Sequence, residues 1–293
     1  MQKIFHGAGV ALITPFKSNL QVDFDSLGCI VDAQIENGID FLVVLGTTGE
    51  PATLSVTEKQ QVIDFVIARN DRRVPVMVGV GGNNTAEVIE KLKSIDLSRA
   101  DGILSVVPYY TRPSQEGIYR HFMAIAAASP LPVMVYNVPS RTGTGMSAET
   151  TLRLAHGSEN IIGTKEASGN FGEIIKILKG KPDHFSVISG DDGVVVPLIS
   201  LGGEGVISVA ANLAPKLISS MSHYALNGDF HNAATIQLDM QSLIDDLFAE
   251  GSPSGVKAAM HSVGMCENQV RLPLVPVSEK LFQAIAEKTK MLL

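Results

Sequence analysis

The chain reads as an α/β protein, a (β/α)8 TIM barrel followed by a C-terminal three-helix extension, and three observations carry that reading. Eight short apolar runs rich in strand-forming residues recur along its 293 residues. Their starts lie roughly 20 to 33 residues apart, the length of one strand plus one helix. Most lack the polar alternation of a half-exposed strand, as parallel strands covered on both faces do.

Taken in order, the first run is Gly9–Pro15. It follows a single early lysine, is short for a signal peptide and has no clear cleavage site, so a first strand is the better reading. Phe41–Gly46 is the second run. Ser55-Val56-Thr57-Glu58 then forms a capping box ahead of Val62, Phe65 and Val66, which announces a helix. After the third run, Val74–Gly81, Asn84-Thr85-Ala86-Glu87 opens another helix in the same way. The runs Gly102–Tyr110, Leu131–Val138, Ile161–Ala167, Phe185–Ser189 and Gly205–Ala210 complete eight. Gly157 and Gly180 stand where two intervening helices should end, and are expected in left-handed caps. The barrel should occupy residues 1–227 and the extension 228–293, with helices near Phe230–Glu250, Ser254–Gly264 and Ser278–Leu292. A doubly wound sheet is the main alternative, but no GxGxxG opens a helix after a strand.

Composition narrows the function. A formal net charge of −7 with 18% charged residues gives no basic face for nucleic acid. The two cysteines, Cys29 and Cys266, lie far apart and outside any CxxC, which fits a reduced, cytoplasmic location and neither a disulfide framework nor a zinc site. The longest uncharged stretch, Phe122 to Ser140, is broken by Pro130, Pro132 and Pro139, so no membrane span is expected. None of the 7 histidines forms HxxH or HExxH, so no catalytic metal is expected either.

The chemistry gathers at the strand ends, where a barrel of this kind carries its site. Lys165 lies within Ile161-Ile162-Gly163-Thr164-Lys165-Glu166-Ala167, an apolar strand segment. Burial disfavours an ammonium, so such a lysine can become a neutral amine that condenses with a ketone. By itself the segment is equally served by a lysine reaching to water or pairing with Glu166. Alternation puts Gly163, Lys165 and Ala167 on one face, leaving room beside the amine. Gly46-Thr47-Thr48-Gly49-Glu50 offers amides and hydroxyls that can cradle a small carboxylate, or is merely a capped turn. Tyr110 and Tyr136 are candidate proton carriers, and Arg141 presents a fork suited to a second carboxylate. The Ser189-Gly190-Asp191-Asp192 cluster ends the seventh strand, and its two aspartates read as caps of the next helix. Gly202-Gly203-Glu204-Gly205 reads as a turn, because no Lys or Arg lies near it in sequence. Five clusters on one rim suggest a metal-free, class I aldolase-type reaction on a 2-oxo acid.

At GTTGE, YNVPSRTG, IIGTKEASG, SGDD and GVISV the chain closely resembles the dihydrodipicolinate synthase / N-acetylneuraminate lyase family of Schiff-base barrels, over Gly7 to at least Pro215. Arg141 and the stretch Pro108 to Gly117 resemble its synthase branch. The resemblance implies condensation of pyruvate with L-aspartate 4-semialdehyde in lysine and diaminopimelate biosynthesis. Lys165 would form the imine. Tyr136 would move protons, linked through Thr47 to a Tyr110 supplied by a neighbouring subunit. Thr48 and its backbone amide would hold the pyruvate carboxylate, the Ile207 backbone would line the other side of that pocket, Gly190 would contact substrate and Arg141 would hold the semialdehyde carboxylate. It also implies no cofactor and a homotetramer built as a dimer of dimers. A sibling aldolase acting on sugar acids and a non-catalytic 2-oxo-acid sensor are the rivals. In lysine-inhibited members, residues matching Asn83, Glu87 and Tyr109 bind the effector, but Val56 and Lys59 depart from the sensitive pattern, so weak or absent feedback by lysine is expected.

Overall fold

The computed structural model of the protein describes residues 3–293, and within them eight parallel strands close into a barrel in the order β1 to β8. The strands are β1 Gly7–Ala11, β2 Phe41–Val44, β3 Val76–Gly79, β4 Gly102–Val106, β5 Val133–Asn137, β6 Ile161–Glu166, β7 Ser186–Ser189 and β8 Gly205–Ser208. All eight expected runs are strands, but most are shorter at their C-terminal ends. β4 shows why. Pro108 has no N–H for the ladder and Tyr110 takes a φ of 71°, so the run expected to reach Tyr110 stops at Val106. The residues freed from pairing at these ends become the loops of one rim.

Helices α1 Phe24–Glu36, α2 Val56–Asn70, α3 Thr85–Ser94, α4 Gln115–Ala128, α5 Pro139–Thr142, α6 Ala148–Gly157, α7 Phe171–Gly180, α8 Val195–Ser200 and α9 Pro215–Leu226 fill the crossovers. The capping box is present in full. The Ser55 hydroxyl accepts from the Glu58 N–H at 3.2 Å, and Glu58 accepts from the Ser55 N–H at 2.9 Å. Asn84 caps α3 through the Ala86 N–H. Gly157 and Gly180 correct the expectation of left-handed caps. Each is the last residue of its helix, and the caps are Ser158 and Lys181 with negative φ. What Gly180 supplies is space, since a Cβ there would lie 2.8 Å from the Leu152 side chain. At Gly157 it would lie 3.3 Å from the Tyr119 hydroxyl, so both glycines serve helix-to-helix approach.

Two apolar layers hold the architecture. A large one packs the outer strand faces against the helices, and a smaller one fills the barrel with Phe41, Met77, Leu104, Met134, Ile188 and Ile207 among others. Phe5 plugs the bottom against Phe41, ring centroids 5.4 Å apart. The β7–β8 seam is the thinnest, with one registered pair, Ser189 and Val206. A half-buried carboxylate stitches it at one end and a buried one at the other. At the bottom Glu204 accepts from Ser186 Oγ at 2.8 Å, Lys3 Nζ at 2.7 Å and Lys181 Nζ at 3.0 Å. The GGEG segment is thus the expected turn, although the chain does bring lysines to it. At the top Asp192 Oδ2 accepts from the N–H groups of Val209 and Ala210, at 2.9 and 3.1 Å. The extension consists of α10 Phe230–Ala249, α11 Ser254–Ser262 and α12 Glu279–Leu292. α10 packs on α9 and α8, so the extension continues the barrel wall.

Candidate active site

β6 brings Lys165 into register with Tyr136 on β5 and Ile188 on β7. The lysine is 5% exposed, and its ammonium nitrogen lies 4.4 Å from the centre of the Tyr136 ring. Burial pulls its pKa down from the usual lysine range to about 8; Asp192 opposes the shift, and Arg141 adds to it. A tenth or so of the amine is therefore neutral near pH 7, far more than for a lysine in water. The neighbouring Glu166 faces the other way. Its carboxylate accepts from Asn137 Nδ2 at 3.0 Å and from the Ser168 N–H at 2.8 Å, so it leaves Lys165 unpaired. Burial also raises the Glu166 pKa.

Room for the amine comes from Gly190. A Cβ there would stand 2.9 Å from Lys165 Cε and from Ala167 Cβ. Beside the amine, burial pushes the Tyr136 phenol up to about 12, against the smaller effects of Arg141 and of the Thr47 side chain that partners it. A phenol of that pKa stays protonated, so it can donate to a developing alkoxide and recover the proton later. Thr47 and Thr48 lie on a 3-10 turn, Thr47–Gly49, whose Gly46 start is set by the end of β2. Thr14 Oγ1 donates to the Gly49 carbonyl at 2.7 Å and ties the turn to the loop after β1.

A cavity of about 720 Å³ opens here, lined by Thr47, Thr48, Tyr136, Arg141, Lys165 and Gly190. Six of the eight expected residues thus meet in one space. Ile207 lies below it, fully buried in the barrel interior. Tyr110 lies outside it. Its side chain is 89% exposed on the loop after β4, while its N–H approaches the Thr142 carbonyl at 3.4 Å. Arg141 is exposed on α5 at the cavity mouth.

Asp191 caps as expected, accepting from the Gly193 N–H at 2.9 Å. Asp192 corrects the same expectation: it is 2% exposed, stitches β7 to β8 and leaves Oδ1 without a partner. Sequence reasoning also missed the far wall. Gln241, Ile244, Asp245 and Phe248 of α10 and Ser252 line the cavity. Their spacing of three and four marks one helix face, but only the docking of α10 shows that the face looks into the mouth.

Among the residues that the resemblance links to feedback, Asn83 Nδ2 donates to the Tyr109 carbonyl at 3.3 Å and Val56 is 79% exposed. Lys59 is half-buried, and burial together with the charge of Lys91 lowers its pKa. Among the described residues no cluster of three or more His, Cys, Asp and Glu could hold a metal ion. No described helix is long and apolar enough to cross a membrane.

Comparison with known proteins agrees with this geometry. The family model described as the Dihydrodipicolinate synthetase family matches residues 4–292. A 4-hydroxy-tetrahydrodipicolinate synthase of Parabacteroides distasonis is 51% identical, covering 98% of this chain and 96% of its own. The dihydrodipicolinate synthase of Aquifex aeolicus superposes with a TM-score of 0.94 at 41% identity, with 98% of each chain covered. The chloride-inhibited enzyme of Acinetobacter baumannii, complexed with pyruvate, superposes with a TM-score of 0.94 at 40% identity, covering 97% of this chain and 98% of its own.

Proposed function

The chain belongs to the dihydrodipicolinate synthetase family, and from that premise we propose that its cavity condenses pyruvate with L-aspartate 4-semialdehyde in the lysine and diaminopimelate route. The reading rests most on one observation: a buried lysine without a carboxylate partner, beside a protonated phenol, in a cavity open to a small oxo acid. Neutral Lys165 attacks the pyruvate ketone. Tyr136 protonates the carbinolamine oxygen, water leaves, and an imine forms. Thr48 and the amides of its turn hold the carboxylate. Loss of a methyl proton gives the enamine, whose carbon attacks the semialdehyde carbonyl. The substrate's own amine then displaces Lys165 as the ring closes. Arg141, at the mouth, holds the semialdehyde carboxylate. The lysine supplies the electron sink, so the reaction as proposed uses no cofactor.

Tyr110 is exposed and held at a φ of 71°, a strained backbone of the kind that persists where a site demands it. Tyr110 therefore supports an assembly in which a second subunit receives it, within a dimer of dimers. Sedimentation that gives only monomer would overturn that part. At the regulatory positions a half-buried Lys59 next to Lys91 makes a poor neighbourhood for another ammonium. Inhibition by lysine is expected to be weak, and a low-micromolar inhibition constant would contradict it.

Borohydride reduction in the presence of pyruvate, followed by peptide mapping, tests the chemistry. A pyruvate-derived adduct on Lys165 is expected. Its absence would sink this reading and that of a sibling sugar-acid aldolase together. Coupling of the trapped donor to sugar aldehydes in preference to aspartate semialdehyde would favour the sibling. Trapping without turnover of any aldehyde would favour a sensor.

A further inference from the structure

Glu50 closes the Gly46–Glu50 turn, and the reaction above gives it no task. It is 4% exposed and sits at a φ of 52°, in the left-handed region where glycine is least strained. A glutamate there is retained for its carboxylate. Oε1 accepts from Lys257 Nζ at 2.5 Å, and Oε2 accepts from the Arg271 N–H at 3.0 Å. Lys257, on α11, is fully buried and also donates to the Gln269 carbonyl at 2.9 Å. Its nitrogen lies 4.2 Å from the centre of the Phe16 ring, and the Arg271 guanidinium lies 4.4 Å from the same ring.

Stability alone does not account for this pair. Desolvating two charges cancels much of their attraction, and apolar residues of similar volume generally do as well or better. What the pair does fix is a position. The Gly49 N–H donates to the Gly46 carbonyl at 3.0 Å and the Glu50 N–H to the Thr47 carbonyl at 3.2 Å, so the turn is short and stiff. Holding its end at Glu50 sets where Thr47 and Thr48 stand in the cavity. The anchor comes from the extension, some 200 residues further along the chain.

We propose that Glu50 and Lys257 are positioning residues for substrate selection: their buried ion pair locks the Thr47–Thr48 turn where it distinguishes a 2-oxo carboxylate from a plain ketone. The inference rests on the pyruvate reading above. Small displacements of a positioning group cost large factors in rate, so the main effect is expected in recognition of the carboxylate by Thr48, with a smaller effect, common to both ketones, on imine formation through Thr47 and its Tyr136 partner.

The test compares borohydride trapping of pyruvate with trapping of acetone, which offers the same ketone without the carboxylate. It uses the native chain, Glu50→Gln, and the double variant Glu50→Gln/Lys257→Met, which removes both buried charges and so folds without an orphaned one. In both variants the preference for pyruvate over acetone is expected to fall about tenfold or more, the acetone rate falling far less than the pyruvate rate. A folded double variant with the native preference would overturn the proposal, leaving the pair a packing feature. Equal loss with both ketones would overturn it too, because the pair would then act on imine formation through Thr47 and Tyr136 and not on carboxylate recognition. Failure of the native chain to trap pyruvate would defeat the underlying reading itself, and is distinguishable from either result.

Discussion

Lys165 and Lys257 are the same side chain buried to nearly the same depth, at 5% and 0% exposure, and the fold treats them in opposite ways. Lys257 meets a carboxylate, a carbonyl and an aromatic ring, so its charge is compensated on every side. Lys165 meets a tyrosine ring and packs beside Gly190, and the carboxylate next to it in sequence is turned away and bound by Asn137 and Ser168. Burial depresses the pKa of both. In one the pair holds the proton in place. In the other no hydrogen-bonded carboxylate does, the more distant pull of Asp192 does not offset burial, and the amine is free to react. Depth alone does not make a lysine a nucleophile; the withheld partner does.

The comparison breaks first on activity. Lys165→Ala should lose roughly 10³-fold or more of the synthase rate and all pyruvate trapping, with the fold intact by circular dichroism. Trapping that persists on another lysine would remove the contrast altogether. The next largest effect is on stability, where one substitution should act with opposite signs. Lys257→Met leaves Glu50 buried and unpaired and should cost about 3–5 kcal/mol in denaturant unfolding. Lys165→Met removes a buried amine with no partner and should be neutral to stabilising at pH 7, by up to about 3 kcal/mol. Equal losses would mean that Lys165 is compensated after all.

Gly190→Ala sharpens the point by geometry, since its methyl would stand 2.9 Å from Lys165 Cε. Displacing the amine should cut kcat/KM about 10²-fold with little change in stability. A native rate would mean that the lysine has slack. The pH dependence follows from the same shift. The folded pKa of about 8 lies below the ordinary value, so the imine-forming rate should rise as pH climbs through 8. For stability, the unfolded chain binds the extra proton between pH 8 and 10.5, so this group lets stability rise across that window. A flat trapping rate from pH 6 to 9 would contradict the neutral-amine reading. The smallest effect belongs to a more exposed pair. The Arg271 guanidinium holds the Glu58 carboxyl down to about 2, so its contribution is present above pH 4.5 and lost as pH falls through 2. Arg271→Gln should make acid unfolding begin at a higher pH.

Much of this was legible in the residues. The eight apolar runs, the capping box at Ser55, the helix cap at Asn84 and the five rim clusters depend on local chemistry, which period and cap spacing express directly. The misjudgements share a different cause. Gly157 and Gly180 had the spacing of caps, but their role depends on Leu152 and Tyr119 across a helix contact. Asp192 had the spacing of a cap too, but it is spent on the backbone just after β8. Tyr110, expected to serve a neighbouring subunit, is exposed, and Ile207, named for its backbone through the family resemblance alone, is buried in the barrel interior; spacing along the chain marks neither place.

The sequence by itself determined the barrel, the lysine at the end of its sixth strand and the reactive types gathered at one rim. Those follow from strand period, crossover length and the rule that strand ends share a face of the barrel. Only the tertiary structure decided which buried lysine is paired, which wall α10 closes and which carboxylates are structural. Each of those depends on contacts between residues up to about 200 positions apart in the chain, and spacing along the sequence carries no information about who arrives from that distance.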